Sequence, residues 1–181
     1  MADYPDINSK PIVLYAPTFR VNEDVDTSKI ISAFDFDNYN LVIKSHPSKK
    51  IPVDDKRVYK CKYSSQELLT IADYVVTDYS SIAIEAAIMS KKLYFFVYDY
   101  EDYKNKNGVN IDLYEEMKDM TFSDANDLMN SITNIPYNVE EFNAFQTKYT
   151  NDNSSNATFK LANYIINNDL EVFNDGNEKN N

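Results

Sequence analysis

Tyr74-Val75-Val76-Thr77-Asp78-Tyr79-Ser80-Ser81 runs directly into Ile82-Ala83-Ile84-Glu85-Ala86-Ala87. A short β-type run ends in Thr-Asp, and a helical pattern opens at once on two serines. This order sets backbone N–H groups and two hydroxyls at the positive end of a helix dipole, where an anion such as phosphate is favoured. The chain has only 2 Gly in 181 residues, so a glycine-rich phosphate loop is not available to it. Any phosphate held here must sit in a serine cradle of this kind.

Outward from that stretch, the same alternation repeats. Pro11 to Ala16 is a continuous apolar run stopped by Pro17, and Asn40 to Ser45 is a second one, with His46-Pro47 just after it. Continuous apolar runs of this length read as strands of a buried parallel sheet. Arg57 to Cys61 reads as a weaker strand and Lys92 to Tyr98 as a strong one. Between them lie helical patterns at Asp26 to Phe34, at Ser64 or Ser65 to Ala72, and at Ser80 to Met89. Glu67 stands where a capping box places its acid. After Asp99 the pattern weakens into a polar loop around Gly108, followed by helices near 123–133, 139–148 and 155–168.

Short buried strands alternating with short helices predict an α/β fold, a Rossmann-like, doubly wound parallel sheet with C-terminal helices. One domain over 10–168 is expected, with irregular tails at 1–9 and 171–181. Hydrophobic content of 43% and aromatic content of 14% suit a packed core. The net charge of −11 argues against nucleic acid and against an anionic membrane surface as partners. A small anionic ligand stays open, since a local basic cluster can outweigh distant acids. One cysteine, Cys61, and one histidine, His46, leave no disulfide and no multi-histidine or cysteine metal site. With no secretory leader and no apolar run near 18 residues, a cytoplasmic chain is expected.

Ligands of open parallel sheets bind outside the carboxyl ends of the strands. The residues there are Thr18-Phe19-Arg20, then His46-Pro47-Ser48-Lys49-Lys50, Tyr63-Ser64-Ser65, Asp78-Tyr79-Ser80-Ser81 and Asp99-Tyr100. One arginine, one histidine, lysines and serines converging on one edge suit a pyrophosphate. Each has a plainer alternative. Arg20 can be a surface residue after a turn, and His46 a structural one. Ser80 and Ser81 can be ordinary helix caps. Glu85, one turn beyond Ser81, faces either a ribose or solvent. Tyr94, Phe95, Phe96 and Tyr98 read as core, and Lys91-Lys92 as a solvated helix end. Neither a Gly-x-Ser-x-Gly elbow, nor a Walker sequence, nor a dinucleotide fingerprint is present.

Three stretches in this order, Tyr15-Ala16-Pro17-Thr18-Phe19-Arg20, Ile43-Lys44-Ser45-His46-Pro47 and Thr77-Asp78-Tyr79-Ser80-Ser81, resemble the CDP-glycerol glycerophosphotransferase family of teichoic acid polymerases. Phe95 to Asp112 resembles the family's segment after the serine motif. Asn151 to Ile166 resembles its closing helix, but Asp152-Asn153-Ser154-Ser155-Asn156-Ala157 lacks the usual glycine. The resemblance implies the C-terminal, donor-binding half of a GT-B architecture. It further implies a CDP-glycerol or related CDP-alditol donor, transfer of alditol phosphate to a polymer hydroxyl, and release of CMP. His46 and Arg20 then stand near the transferring phosphate as catalytic residues. Thr18, Lys44, Ser48, Asp78, Ser80, Ser81 and Glu85 become donor-binding. No metal ligand is assigned, and dependence on a divalent metal is open. The acceptor side, and any membrane association at the inner face, falls to an N-terminal domain outside this chain. Two rivals stay open: a glycosyltransferase or epimerase half that binds a UDP-sugar, with Glu85 on the ribose, and an interaction module whose serines only cap a helix.

Overall fold

A computed structural model describes residues 4–20, 24–45, 49–150 and 157–167. Its centre is a parallel sheet of five strands in the order β2-β1-β3-β4-β5. The strands are β1 (Ile12–Tyr15), β2 (Asn40–Ile43), β3 (Tyr74–Thr77), β4 (Lys92–Phe96) and β5 (Thr121–Phe122). Apart from Tyr74, Lys92 and Phe122, every residue of these strands is buried, as expected where helices cover both faces. The expected Rossmann-like α/β sheet is therefore present. From β1 the chain goes out to β2, then returns to the other side of β1 for β3, so the direction of winding reverses between β1 and β3. That reversal is the crevice where ligands of such sheets bind.

The helices are α1 (Ser28–Ala33), α2 (Ser65–Ile71), α3 (Ile82–Ile88), α4 (Tyr100–Asn107), α5 (Leu113–Glu116), α6 (Ala125–Asn134), α7 (Val139–Tyr149) and α8 (Ala157–Asn167). α1 packs against α6, while α3 packs against both α2 and α7. At α2 the capping box forms as read: Ser64 accepts from the Glu67 N–H, and the Glu67 carboxylate accepts from the Ser64 N–H. Lys91, expected to be solvated, donates to the carbonyls of Thr70 and Ala72 and so closes the end of α2. Segment 4–9 is irregular but docked, with Ile7 1% exposed and its carbonyl accepting from the Asn40 amide.

Two expectations are corrected. Arg57 to Cys61 makes only one isolated bridge, between Tyr59 and Val42 at the free side of β2. One pairing partner and a lysine facing solvent at position 60 do not sustain a strand. The stretch after Asp99 is not a loop: it forms α4, α5 and the two-residue β5. α4 buries only Tyr100, so no apolar period marks it in the sequence. Gly108 ends it at φ 75°, a backbone region that side-chain-bearing residues rarely adopt.

Candidate functional site

Thr77 and Ala16 lock the ends of β3 and β1 together. The Thr77 hydroxyl donates to the Ala16 carbonyl at 2.8 Å, and the Ala16 N–H donates to Val76 O at 2.9 Å. Just beyond, Asp78 turns inward and is 2% exposed. One of its oxygens accepts from the Thr18 N–H and the Thr18 hydroxyl, both at 2.7 Å, and from its neighbour's Tyr79 N–H. Its other oxygen accepts from Arg20 Nη2 at 3.1 Å. Burial pushes the Asp78 carboxyl above the usual range, and Arg20 and Thr18 pull against that push. Every contact donates to it, which is the environment of an ionised carboxylate.

Arg20 is 8% exposed, not a surface residue. Its Nε donates to Asp99 Oδ2 at 2.9 Å, its Nη2 lies 2.8 Å from the same oxygen, and its Nη1 donates to Thr18 O at 2.7 Å. Burial works against the charged form, but Asp78 and Asp99 outweigh it and hold the guanidinium above its ordinary pKa. Two tyrosines complete the surroundings. Tyr79 and Tyr103 stack at 3.8 Å and 13°, and the Arg20 guanidinium carbon lies 5.4 and 4.7 Å from their ring centres. The Tyr79 hydroxyl donates to Asp99 at 3.1 Å, and burial, then Asp99, raises its pKa. Beneath, the fully buried Tyr15 hydroxyl has no hydrogen-bond partner, and burial followed by Asp78 keeps it protonated.

The serines behave differently. Ser81 occupies the N-cap of α3 in a helical conformation and makes no side-chain capping bond. Ser80 Oγ reaches the Ile82 N–H only at 3.4 Å, beyond the usual range for a good bond. The capping explanation of the pair is therefore weak. α3 is also only seven residues long, so the hydroxyls matter here more than the helix dipole. Glu85 is half-buried and accepts from Gln66 Nε2 at 2.9 Å. Across β1, at the end of β2, half-buried Lys44 donates to Tyr63 O at 2.6 Å. Lys49 pairs with Asp24 at 2.9 Å and donates to Arg20 O.

Thr18, Arg20 and Asp78 thus touch one another, and Ser80 and Ser81 follow on the same edge of the sheet. Lys44 lies beside the end of β1, one strand from the turn that carries Thr18 and Arg20, and two strands, about 10 Å at ordinary strand spacing, from the segment after β3 that carries Asp78, Ser80 and Ser81. His46 and Ser48 lie outside the described residues. Sequence reading set Asp99 and Tyr79 at the strand edge but gave them no role in the site, and passed over Tyr103. A signal for the first existed: a buried arginine needs carboxylates, and Asp78 and Asp99 both follow strands at the same edge. A cavity of about 320 Å³ lined by Tyr94, Lys118, Phe122 and Tyr137 holds none of the expected residues. Among the described residues, no three His, Cys, Asp or Glu come together, and no helix is long and apolar enough to cross a membrane.

Residues 2–167 match the family described as CDP-Glycerol:Poly(glycerophosphate) glycerophosphotransferase. A teichoic acid glycerol-phosphate primase of Bacillus subtilis is 29% identical over 92% of this chain and 46% of its own length. A teichoic acid poly(ribitol-phosphate) polymerase of Bacillus spizizenii is 27% identical over 91% of this chain and 29% of its own. Among solved structures, the wall teichoic acid polymerase TagF, in its H444N form with CDPG, superposes with a TM-score of 0.63 at 20% identity. That match covers 88% of this chain and 42% of the polymerase, and it speaks to the fold. The chain therefore spans less than half the length of these curated relatives.

Proposed function

This chain belongs to the CDP-Glycerol:Poly(glycerophosphate) glycerophosphotransferase family, and on that footing we propose that it is the donor-binding half of a cell-wall transferase. The reaction passes an alditol phosphate from a CDP-alditol to a hydroxyl of a teichoic-acid-like polymer. The acceptor oxygen forms a bond to the distal phosphorus, the bond from that phosphorus to the bridging oxygen breaks, and CMP leaves with the electron pair. The hydroxyl proton goes to a base supplied from outside this chain. Such transfers depend on positioning and on stabilising charge at the phosphoryl oxygens.

The observation that supports this reading best is the pair Ser80 and Ser81, two hydroxyls at the reversal point with no strong capping bond. They donate to the pyrophosphate, with Thr18 held beside them by Asp78. Lys44 supplies a positive charge from the β2 side, and by its place in the sequence we assign His46 to the reacting phosphate. Glu85, which accepts from Gln66, we assign to the ribose. The matched relatives divide between glycerol and ribitol phosphate at similar identity, so the alditol is left to experiment. We place the parent enzyme in the cytoplasm at the inner membrane face, with polymer and membrane contacts made by the rest of it. By itself the chain binds donor and turns nothing over. Titrating it with CDP-glycerol, CDP-ribitol, UDP-GlcNAc and CMP tests the proposal. Preference for the UDP-sugar, or a polymerase rate from the chain alone, contradicts it.

A further inference from the structure

We infer that Arg20 is a positioning residue: with Asp78, Asp99, Tyr79 and Tyr103 it forms a latch that fixes the donor-side turns, while the transferred phosphate is met by other groups. The inference deepens the donor-site reading and rests on it for the identity of the ligand.

The first ground is hydrogen-bond accounting. A guanidinium has five N–H donors and no acceptor. Each of the three Arg20 nitrogens is already engaged, Nε and Nη2 by carboxylate oxygens and Nη1 by the Thr18 carbonyl. Three of the five N–H groups are spent, and of the two left the one on Nη2 lies on a nitrogen already 2.8 Å from an Asp99 oxygen.

The second ground is charge. One guanidinium between two carboxylates leaves the cluster at a net −1 when both acids are ionised. A phosphate brought up to Arg20 would meet Asp78 and Asp99 in the same low-dielectric space, where like charges repel most strongly. Arg20 therefore offers a pyrophosphate little net attraction. Lys44 differs. The bond it makes goes to a backbone carbonyl, which uses one donor and cancels no charge.

The third ground is connectivity. Arg20 joins Asp78 across 58 positions and Asp99 across 79, so one side chain ties together the segments leaving β1, β3 and β4. Two of those segments carry Thr18 and Ser80-Ser81. The third opens α4, whose Tyr103 lies over the guanidinium and stacks on Tyr79. This cation–π and stacking contact is how the otherwise polar α4 meets the latch. Fixing three chain segments at once is the work of a planar, forked, always-charged group.

Compensating substitutions separate a latch from a phosphate contact. R20M leaves two buried carboxylates without their cation, so its melting temperature falls and its CDP-glycerol affinity falls with it. In R20M/D78N/D99N the carboxylates are gone, and the asparagine oxygens still accept from Thr18 and Tyr79. This variant is expected to recover melting and to bind CDP-glycerol within about threefold of the unaltered chain. A folded triple variant that stays tenfold or more weaker overturns the latch. The unaltered chain provides a readout that needs no variant, the nuclear magnetic resonance signal of the Arg20 Nε–H. A latch gives a slowly exchanging signal without ligand that moves little at CDP-glycerol saturation. A signal that appears or shifts far downfield only on saturation overturns it. If the unaltered chain shows no saturable CDP-glycerol binding, the donor-site reading fails, and the ligand-free signal still decides the latch.

Discussion

The strand edge carries two cationic corners that look alike in the sequence and differ in the structure. At the β1–β3–β4 corner, Arg20 is buried, flanked by two carboxylates and two tyrosine rings, and bonded to a carbonyl. At the β2 corner, Lys44 is half-buried and, among the described residues, donates only to the Tyr63 carbonyl, and between the two corners Ser80 and Ser81, which follow β3, hold hydroxyls with weak or no local partners. The first corner is complete without a ligand. The second has donors to spare. Proximity of a positive residue to a phosphate site thus says little until its counter-charges have been counted.

The largest effect that could break this contrast is on stability. Arg20→Met should cost about 3–5 kcal/mol, because removing one partner strands buried charge. Lys44→Met should cost under about 1 kcal/mol, as expected for a half-exposed group with one carbonyl partner. Chemical denaturation of the two variants checks both, and equal losses would erase the distinction. Next comes binding. Ser80→Ala with Ser81→Ala should weaken CDP-glycerol binding by about 1–3 kcal/mol, the range for hydrogen bonds to a charged partner. Its stability should stay within about 0.5 kcal/mol, since neither hydroxyl caps α3 strongly. If melting falls instead of affinity, the serines belong to the folded scaffold.

Tyr103→Leu is expected to remove the stack on Tyr79 and the contact with Arg20, at about 1–2 kcal/mol of stability. Amide hydrogen exchange should then speed up across Tyr100–Asn107 but not across α3. The smallest effect is at the far end of α3. Ser90 has φ 51°, and the Lys91 N–H bonds to Ala86 O, a helix ending that glycine usually supplies. Ser90→Gly should stabilise the fold by about 0.5–1 kcal/mol and leave nucleotide binding unchanged. Altered binding there would mean that the N-terminal serines are not the ligand end.

The four buried strands were legible because continuous apolar runs stopped by proline or by Thr-Asp have few other uses. Strand β5 was not, since two residues make no pattern, and α4 was hidden by its polarity. At the site, Thr18, Arg20 and Asp78 were legible as strand-end residues. Their wiring was not, because Arg20 meets Asp99 only after the chain closes across 79 positions. The expectation that Arg20 faces phosphate came from its type and place. The ion pairs that argue for a different role are properties of the folded state alone.

Isothermal titration of the unaltered chain with CDP-glycerol, against UDP-GlcNAc in the same buffer, tests the central claim most directly. Saturable one-to-one binding of CDP-glycerol, with no comparable heat from UDP-GlcNAc, is expected. Binding of neither nucleotide, or tighter binding of the UDP-sugar, contradicts a CDP-alditol site built on Ser80, Ser81 and Lys44.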